Sequence, residues 1–93
     1  LNNEISIHTL TVTLSRDAYI EKDFACDSDR LVMSFSDDRF DYPLKLVSVY
    51  SSGHFDSSLD KFKKGCMVYA TGMLKSGSRE IVASFPFGSI TAV

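Results

Sequence analysis

Hydrophobic and polar positions change period once along this chain, at Gly65. From Met67 to Leu74 the residues alternate. Val68, Ala70, Gly72 and Leu74 fall on one side and Met67, Tyr69, Thr71 and Met73 on the other, the period of two of a β-strand. Just before it, Leu59 and Phe62 lie three apart, on one helical face. Lys61, Lys63 and Lys64 bring cations to the end where a helix dipole is negative. Gly65 suits the stop, because it takes a left-handed conformation without a Cβ clash. The pattern predicts a helix over 54–64, with Asp56 or Ser57 as N-cap, running into a long strand.

The remaining elements read as strands. Residues 4–14 are rich in β-branched side chains, with apolar positions at Ile5, Ile7, Leu10, Val12 and Leu14. The phase slips between Ile7 and Leu10, so a bulge there is expected to bring both sets to one face. His8 lies near the slip and reads as a strand-surface histidine. Residues 21–29 read as acidic and irregular, with Phe24 and Cys26 turned inward. Residues 30–36 form a second strand and 42–50 a third, with Pro43 at its start, where a missing N–H is tolerated. Residues 75–79 form a tight hairpin with Gly77 at its tip. Residues 80–85 form a fifth strand, Pro86-Phe87-Gly88 ends or kinks it, and 90–93 make a last edge strand.

Length and composition narrow the class. The 93 residues argue for a single domain over 1–93, 44% hydrophobic, with no apolar run long enough to cross a membrane. Cys26 and Cys66 lack metal spacing and read as two free thiols, which favours a reducing compartment. The net charge of −2 is not the footprint of a nucleic-acid protein, but it is unevenly spread. Residues 1–42 carry four bases against nine acids, and residues 43–93 carry six bases against three acids. Such a distribution can leave one basic face on an acidic protein. No Cys-x-x-Cys, His-Glu-x-x-His or phosphate-binding glycine loop is present, so nothing points to an enzyme, a cofactor or a metal. Asp27-Ser28-Asp29 and Asp37-Asp38 lack the loop length and glutamate of a calcium site and read as solvated turns.

The string Phe62-Lys63-Lys64-Gly65, followed by Val68-Tyr69-Ala70 and then Gly72 and Leu74, resembles bacterial-type single-stranded DNA-binding proteins. It matches the segment between their helix and fourth strand. Arg16-Asp17 resembles the basic–aspartate step after that family's first strand, and Leu46-Val47-Ser48-Val49-Tyr50 resembles its third strand. The resemblance covers about residues 5–85. It implies an all-β fold with one short helix, a five-stranded OB-fold barrel whose helix plugs one end. It also implies sequence-independent single-stranded DNA binding in replication, recombination or repair, by a dimer or tetramer in the cytoplasm, at the nucleoid, or in an organelle.

The resemblance and the strand phase together nominate Tyr50 for stacking on bases, with Val47 and Val49 facing the core. Lys45, Lys75 and Arg79 are nominated for phosphates, and Arg16, Arg39, Phe40 and Phe55 for further contacts. Phe40 and Tyr42 equally suit covering the barrel end. The chain departs from the family in having no tryptophan, with Leu44 where one is usual, and in a short acidic hairpin at 36–41. Those departures sustain an alternative: an OB-fold interaction subunit of a larger nucleic-acid-processing complex, with weak or no DNA binding. The outward row Met67, Tyr69 and Met73 would then be its oligomer or partner surface.

Overall fold

The computed structural model describes residues 4–84 and 88–93. It contains strands β1 (Ile5–Thr13), β2 (Tyr19–Asp23), β3 (Ser28–Phe35), β4 (Leu44–Ser51), β5 (Met67–Lys75), β6 (Glu80–Val82) and β7 (Ser89–Ala92). They form one sheet in the order β1-β5-β6-β4-β3-β2, with β7 on the other edge of part of β5. Every pairing is antiparallel except β4 with β6. The sheet curls until the end of β1 reaches β3. A bridge between Leu14 and Phe35, with Ser15 N–H donating to the Ser34 carbonyl at 2.9 Å, joins them without closing the barrel. This is the strand order of an SSB-like OB-fold.

Inside the curl, alternate residues pack. Leu10 and Val12 of β1, with Leu14 just beyond it, meet Leu31, Met33 and Phe35 of β3, Leu44 and Leu46 of β4, and Val68, Ala70 and Leu74 of β5. Burying each large aliphatic stabilises by roughly 1.5–3 kcal/mol. Gly72 belongs to this inner row. A Cβ there would stand 2.7 Å from both Ile81 Cγ2 and the Val82 carbonyl oxygen, so glycine lets β6 lie directly on β5.

Several expectations are overturned. β1 pairs with β5 in unbroken register from Ile5↔Lys75 to Thr13↔Met67, so there is no bulge. Ile5 and Ile7 therefore face outward, 57% and 61% exposed. The helix over 54–64 reduces to one 3-10 turn at Leu59–Lys61 amid successive turns closed by i to i+3 hydrogen bonds. Ser51, Ser52 and Gly53 precede the segment, and it runs on through Ser57 and Ser58. Serine hydroxyls compete for backbone groups, and so short a segment nucleates a helix poorly. Phe55 and Phe62 still plug the barrel end, as the helix was expected to do. Residues 21–29 are a β2–β3 hairpin, and its tip leaves Phe24 87% exposed and Cys26 exposed rather than inward.

Gly65 and Gly77 take the positive φ expected of a stop and a hairpin tip, at 88° and 85°. The fifth strand is assigned only to Val82, the last strand starts one residue early at Ser89, and Phe85 and the Pro86-Phe87 kink lie outside the described residues.

Candidate nucleic-acid interface

The outer face of the sheet follows from the register. Tyr19 on β2 stands opposite Val32 on β3, Val32 opposite Val47 on β4, and Val47 opposite Val82 on β6. Val82 stands opposite Met73, and Met73 opposite Ile7. Directly opposed residues share a face. One row thus runs across the outside of the sheet from Tyr19 to Ile7. Beside it, Ser34 opposes Lys45, and Lys45 opposes Glu80.

At the Tyr19 end lies a cleft of about 530 Å³, lined by Ser15, Ser34, Ser36, Lys45, Arg79 and Glu80 over Phe35, Pro43 and Leu44. Two clusters of cation and aromatic ring border it. On one side Arg16 Cζ stands 5.1 Å from the Tyr19 ring centre, and Lys45 Nζ donates to the Tyr19 hydroxyl at 3.3 Å. On the other, Arg79 Cζ lies 4.5 Å above the Tyr42 ring. Arg16, Lys45 and Arg79 have no carboxylate within ion-pair distance among the described residues. Cations over aromatic faces are preorganised for a phosphate on one side and a flat ring on the other.

The chain fixes this cleft locally. The Asp17 carboxylate accepts the Lys64 N–H at 2.7 Å, and Ala18 N–H donates to the Phe62 carbonyl at 2.8 Å. The Arg16-Asp17 turn is thereby tied to the segment entering β5, and Tyr19 starts β2 from a held position. Lys45 N–H donates to the Arg79 carbonyl at 3.1 Å, which fixes the β5–β6 hairpin against β4.

An ion pair crosses the same face. Arg30, opposite Val49 on β4, donates to Glu80 at 2.6 Å and lies 3.4 Å from Glu21. Glu80 opposes Lys45 on β4's other side, so the bridge spans β4 above Val47. Val47 and Val32 are accordingly buried although they face outward. Hydrogen bonding to Glu80 raises the Arg30 pKa above the usual guanidinium value.

The nominated residues fall in different places. Lys45 and Arg79 line the cleft and Arg16 borders it. Lys75 is exposed at the end of β5, opposite Ile5, and lines a shallow hollow with Met73 and Val82. Arg39 is turned to Asp37 in a two-residue ion pair. That pair and the Arg39 N–H hold the Asp37 carboxyl at about 2. Phe40 is half-buried edge-on to His8 at 5.7 Å and packs on the core with Tyr42, covering the barrel end. His8 itself accepts or donates a 2.8 Å hydrogen bond with Ser6.

Two nominated aromatics belong elsewhere. Tyr50 shares the inner face with Leu44, Leu46 and Ser48, while Val49 is exposed, the reverse of the expected phase. Tyr50 stacks on His54 with ring centres 4.2 Å apart and meets Phe55 edge-on. Phe55 is buried beneath them. The strand carries apolar residues on both faces, and the Arg30–Glu80 bridge passes over outward Val47, which Val32 and Val82 flank. The outward phase of Met67, Tyr69 and Met73 is as expected. Met67 and Tyr69 are about half exposed, while exposed Ile5 and Ile7 lie beside Met73, beyond the Thr9–Thr71 pair.

Tyr19 and Arg30 were not nominated. The available signal was the alternation of Tyr19, Glu21 and Asp23 with Ile20 and Lys22 ahead of a turn. Among the described residues no cluster of His, Cys, Asp and Glu is placed to hold a metal, and no helix is long and apolar enough to cross a membrane.

No family model matches the chain, and no curated protein does. Among solved structures, the chain is similar to Plasmodium falciparum SSB in complex with ssDNA, over all of this chain and 95% of that one. The TM-score is 0.56 and the identity 17%, a likeness of fold.

Proposed function

We propose that this chain binds single-stranded nucleic acid, without regard to base sequence, along the outer face of β2, β3 and β4. The carrying observation is the cleft bordered by Tyr19 with Arg16 and Lys45 on one side and by Tyr42 with Arg79 on the other. Tyr19 supplies a stacking face, and Lys45, Arg79 and Arg16 neutralise phosphates. Serines 15, 34 and 36 offer hydroxyls to sugar or phosphate oxygens. Lys75 lies further round the same face and serves a strand leaving the cleft. A fold shared with a protein solved on ssDNA supports the reading. The role is binding, not catalysis, in the replication, recombination or repair of DNA, as in the bacterial-type proteins the sequence resembles.

The test is anisotropy of a labelled oligothymidine of 35 nucleotides across a salt series, for the parent and for Lys45→Gln with Arg79→Gln. Log affinity should fall with log salt at a slope near 0.7 per phosphate neutralised. The double variant should flatten that slope by about 1.4. A slope unchanged by the two substitutions would remove these residues from the phosphate track. No binding at low salt by the folded parent would end the reading.

A second reading rests on a separate observation. Ile5 and Ile7 are exposed beside Met73 at one end of the β1–β5 pair, Met67 and Tyr69 are exposed at its other end with Thr9 and Thr71 between, and β1 is an end strand of the sheet. Such a surface suits a second copy of the chain or a protein partner. Self-association through it, as dimer or tetramer, is compatible with strand binding at the other end of the outer face. Docking into a larger assembly is the use it would have if the cleft bound nothing.

A further inference from the structure

The outer face carries one guanidinium that the cleft does not use. Arg30 lies about 13 Å along β3 from Ser34, four residues at the rise of a strand. Its head is nonetheless drawn back towards the cleft, because its main partner Glu80 is a cleft residue that opposes Lys45. Its other partner, Glu21, lies two residues from Tyr19 on the same face of β2. The guanidinium is thus the next cation on the face beyond Lys45. All three side chains remain reachable, with Arg30 33%, Glu80 37% and Glu21 51% exposed. Val49, opposite Arg30, is also exposed and offers an apolar spot beside it.

A guanidinium fork that fits a carboxylate also fits a phosphate. Given a single strand lying in the cleft, we propose that Arg30 is a further phosphate-binding residue, which a backbone phosphate takes over from Glu80 and Glu21. The exchange is one anion for another at the same fork, and no bond is made or broken. The two carboxylates shield Val47 and Val32 while the face is empty. They oppose a strand by charge repulsion and by holding Arg30, so they set affinity downward on a chain whose cleft is otherwise basic. Arg30 extends the phosphate track along β3 and β4, and the inference stands only if the cleft binds a strand at all.

The experiment uses the same labelled oligothymidine and salt series. Glu21→Gln with Glu80→Gln should tighten binding at low salt at least threefold and keep the salt slope, because Arg30 already meets a phosphate in the parent. Removing acids near any basic cleft would also tighten binding, so the deciding arm adds Arg30→Gln to that pair. The triple variant should lower the slope by about 0.7 and bind at least threefold more weakly than the double. Arg30→Met in the same background removes the charge while keeping an apolar stem over Val47, and thermal unfolding of each protein checks that the fold survives. Equal affinity and slope in the double and both triple variants would overturn the role of Arg30. If the parent binds and Tyr19→Ala weakens it, that outcome leaves the cleft reading standing. If neither the parent nor any variant binds, both fall together.

Discussion

The two ends of the outer face are built from one sheet and differ in what they offer a partner. Around β2, β3 and β4 it presents Tyr19, Lys45, Arg30, Glu21 and Glu80, with Arg16 and Arg79 at the border. Around β1 and β5 it presents Ile5, Ile7, Thr9, Thr11, Met67 and Tyr69, with Lys75 the cation at the margin. A continuous row from Tyr19 to Ile7 joins them. At the charged end, outward Val32 and Val47 are buried under an ion pair, while Val49 beside Arg30 stays exposed. The charged end thus covers Val32 and Val47 with an ion pair, and the described residues at the β1 end leave its own apolar residues open to solvent.

The largest effect should strike both regions at once. Leu46→Ala empties a fully buried core position behind both and should cost about 2–5 kcal/mol in denaturant unfolding. Gly72→Ala tests the join between them. Its methyl group would meet Ile81 and the Val82 backbone, and the expected loss is about 1–3 kcal/mol, read from the shift in unfolding midpoint. If Gly72→Ala were as stable as the parent, β6 could not lie on β5 as described.

Smaller changes should separate the regions. Tyr69→Lys places a charge in the apolar patch. It should reduce self-association in sedimentation velocity and leave strand affinity within about twofold, since Tyr69 lies on β5 far from the cleft residues. Loss of strand binding with unchanged association would reverse the assignment of the two ends.

The smallest effect concerns acid. Asp29 has no exposed side-chain surface, and its carboxylate accepts the Gly53 N–H at 3.0 Å and pairs with Lys22 at 3.2 Å. The Gly53 hydrogen bond lowers its pKa below the usual carboxylate value, with Lys22 helping and burial opposing. A carboxyl lowered in the folded state contributes stability at pH above its unfolded value of about 3.9. That contribution is lost as pH falls through the folded value. Asp29→Asn should therefore narrow its deficit to the parent as thermal unfolding is followed from pH 6 to pH 3. A deficit constant over that range would mean that the charge of Asp29 does not matter.

How much of this was legible depended on whether a strand had one apolar face or two. β5 alternates cleanly, and its two faces, its glycine stop and its hairpin were readable from residues 65–77. β4 places Leu44 and Leu46 on one face and Val47 and Val49 on the other, so periodicity alone could not set its phase. What fixes it is non-local: the β3 register places Leu44 and Leu46 in the core beside Phe35 and Met33, and Arg30 and Glu80, fifty residues apart, meet over Val47. The same reasoning misled at β1, where a bulge was needed only if Ile5 and Ile7 had to be buried. Arg79 was found because it flanks the Gly77 turn, and Arg16 because Arg16-Asp17 resembles the basic–aspartate step. Tyr19 was missed because it follows a turn and precedes an acidic run whose hairpin pairing is visible only in three dimensions.

The most direct measurement compares the two tyrosines. Anisotropy of the labelled oligothymidine at low salt would be followed for the parent, Tyr19→Ala and Tyr50→Leu, with each fold checked by circular dichroism. Stacking is worth about 1–3 kcal/mol per base, so Tyr19→Ala should weaken binding by roughly 5- to 150-fold. Tyr50→Leu, on the inner face, should stay within about threefold of the parent. Binding that survives loss of Tyr19 and collapses on loss of Tyr50 would contradict the account and move the strand from the outer face to the mouth of the barrel.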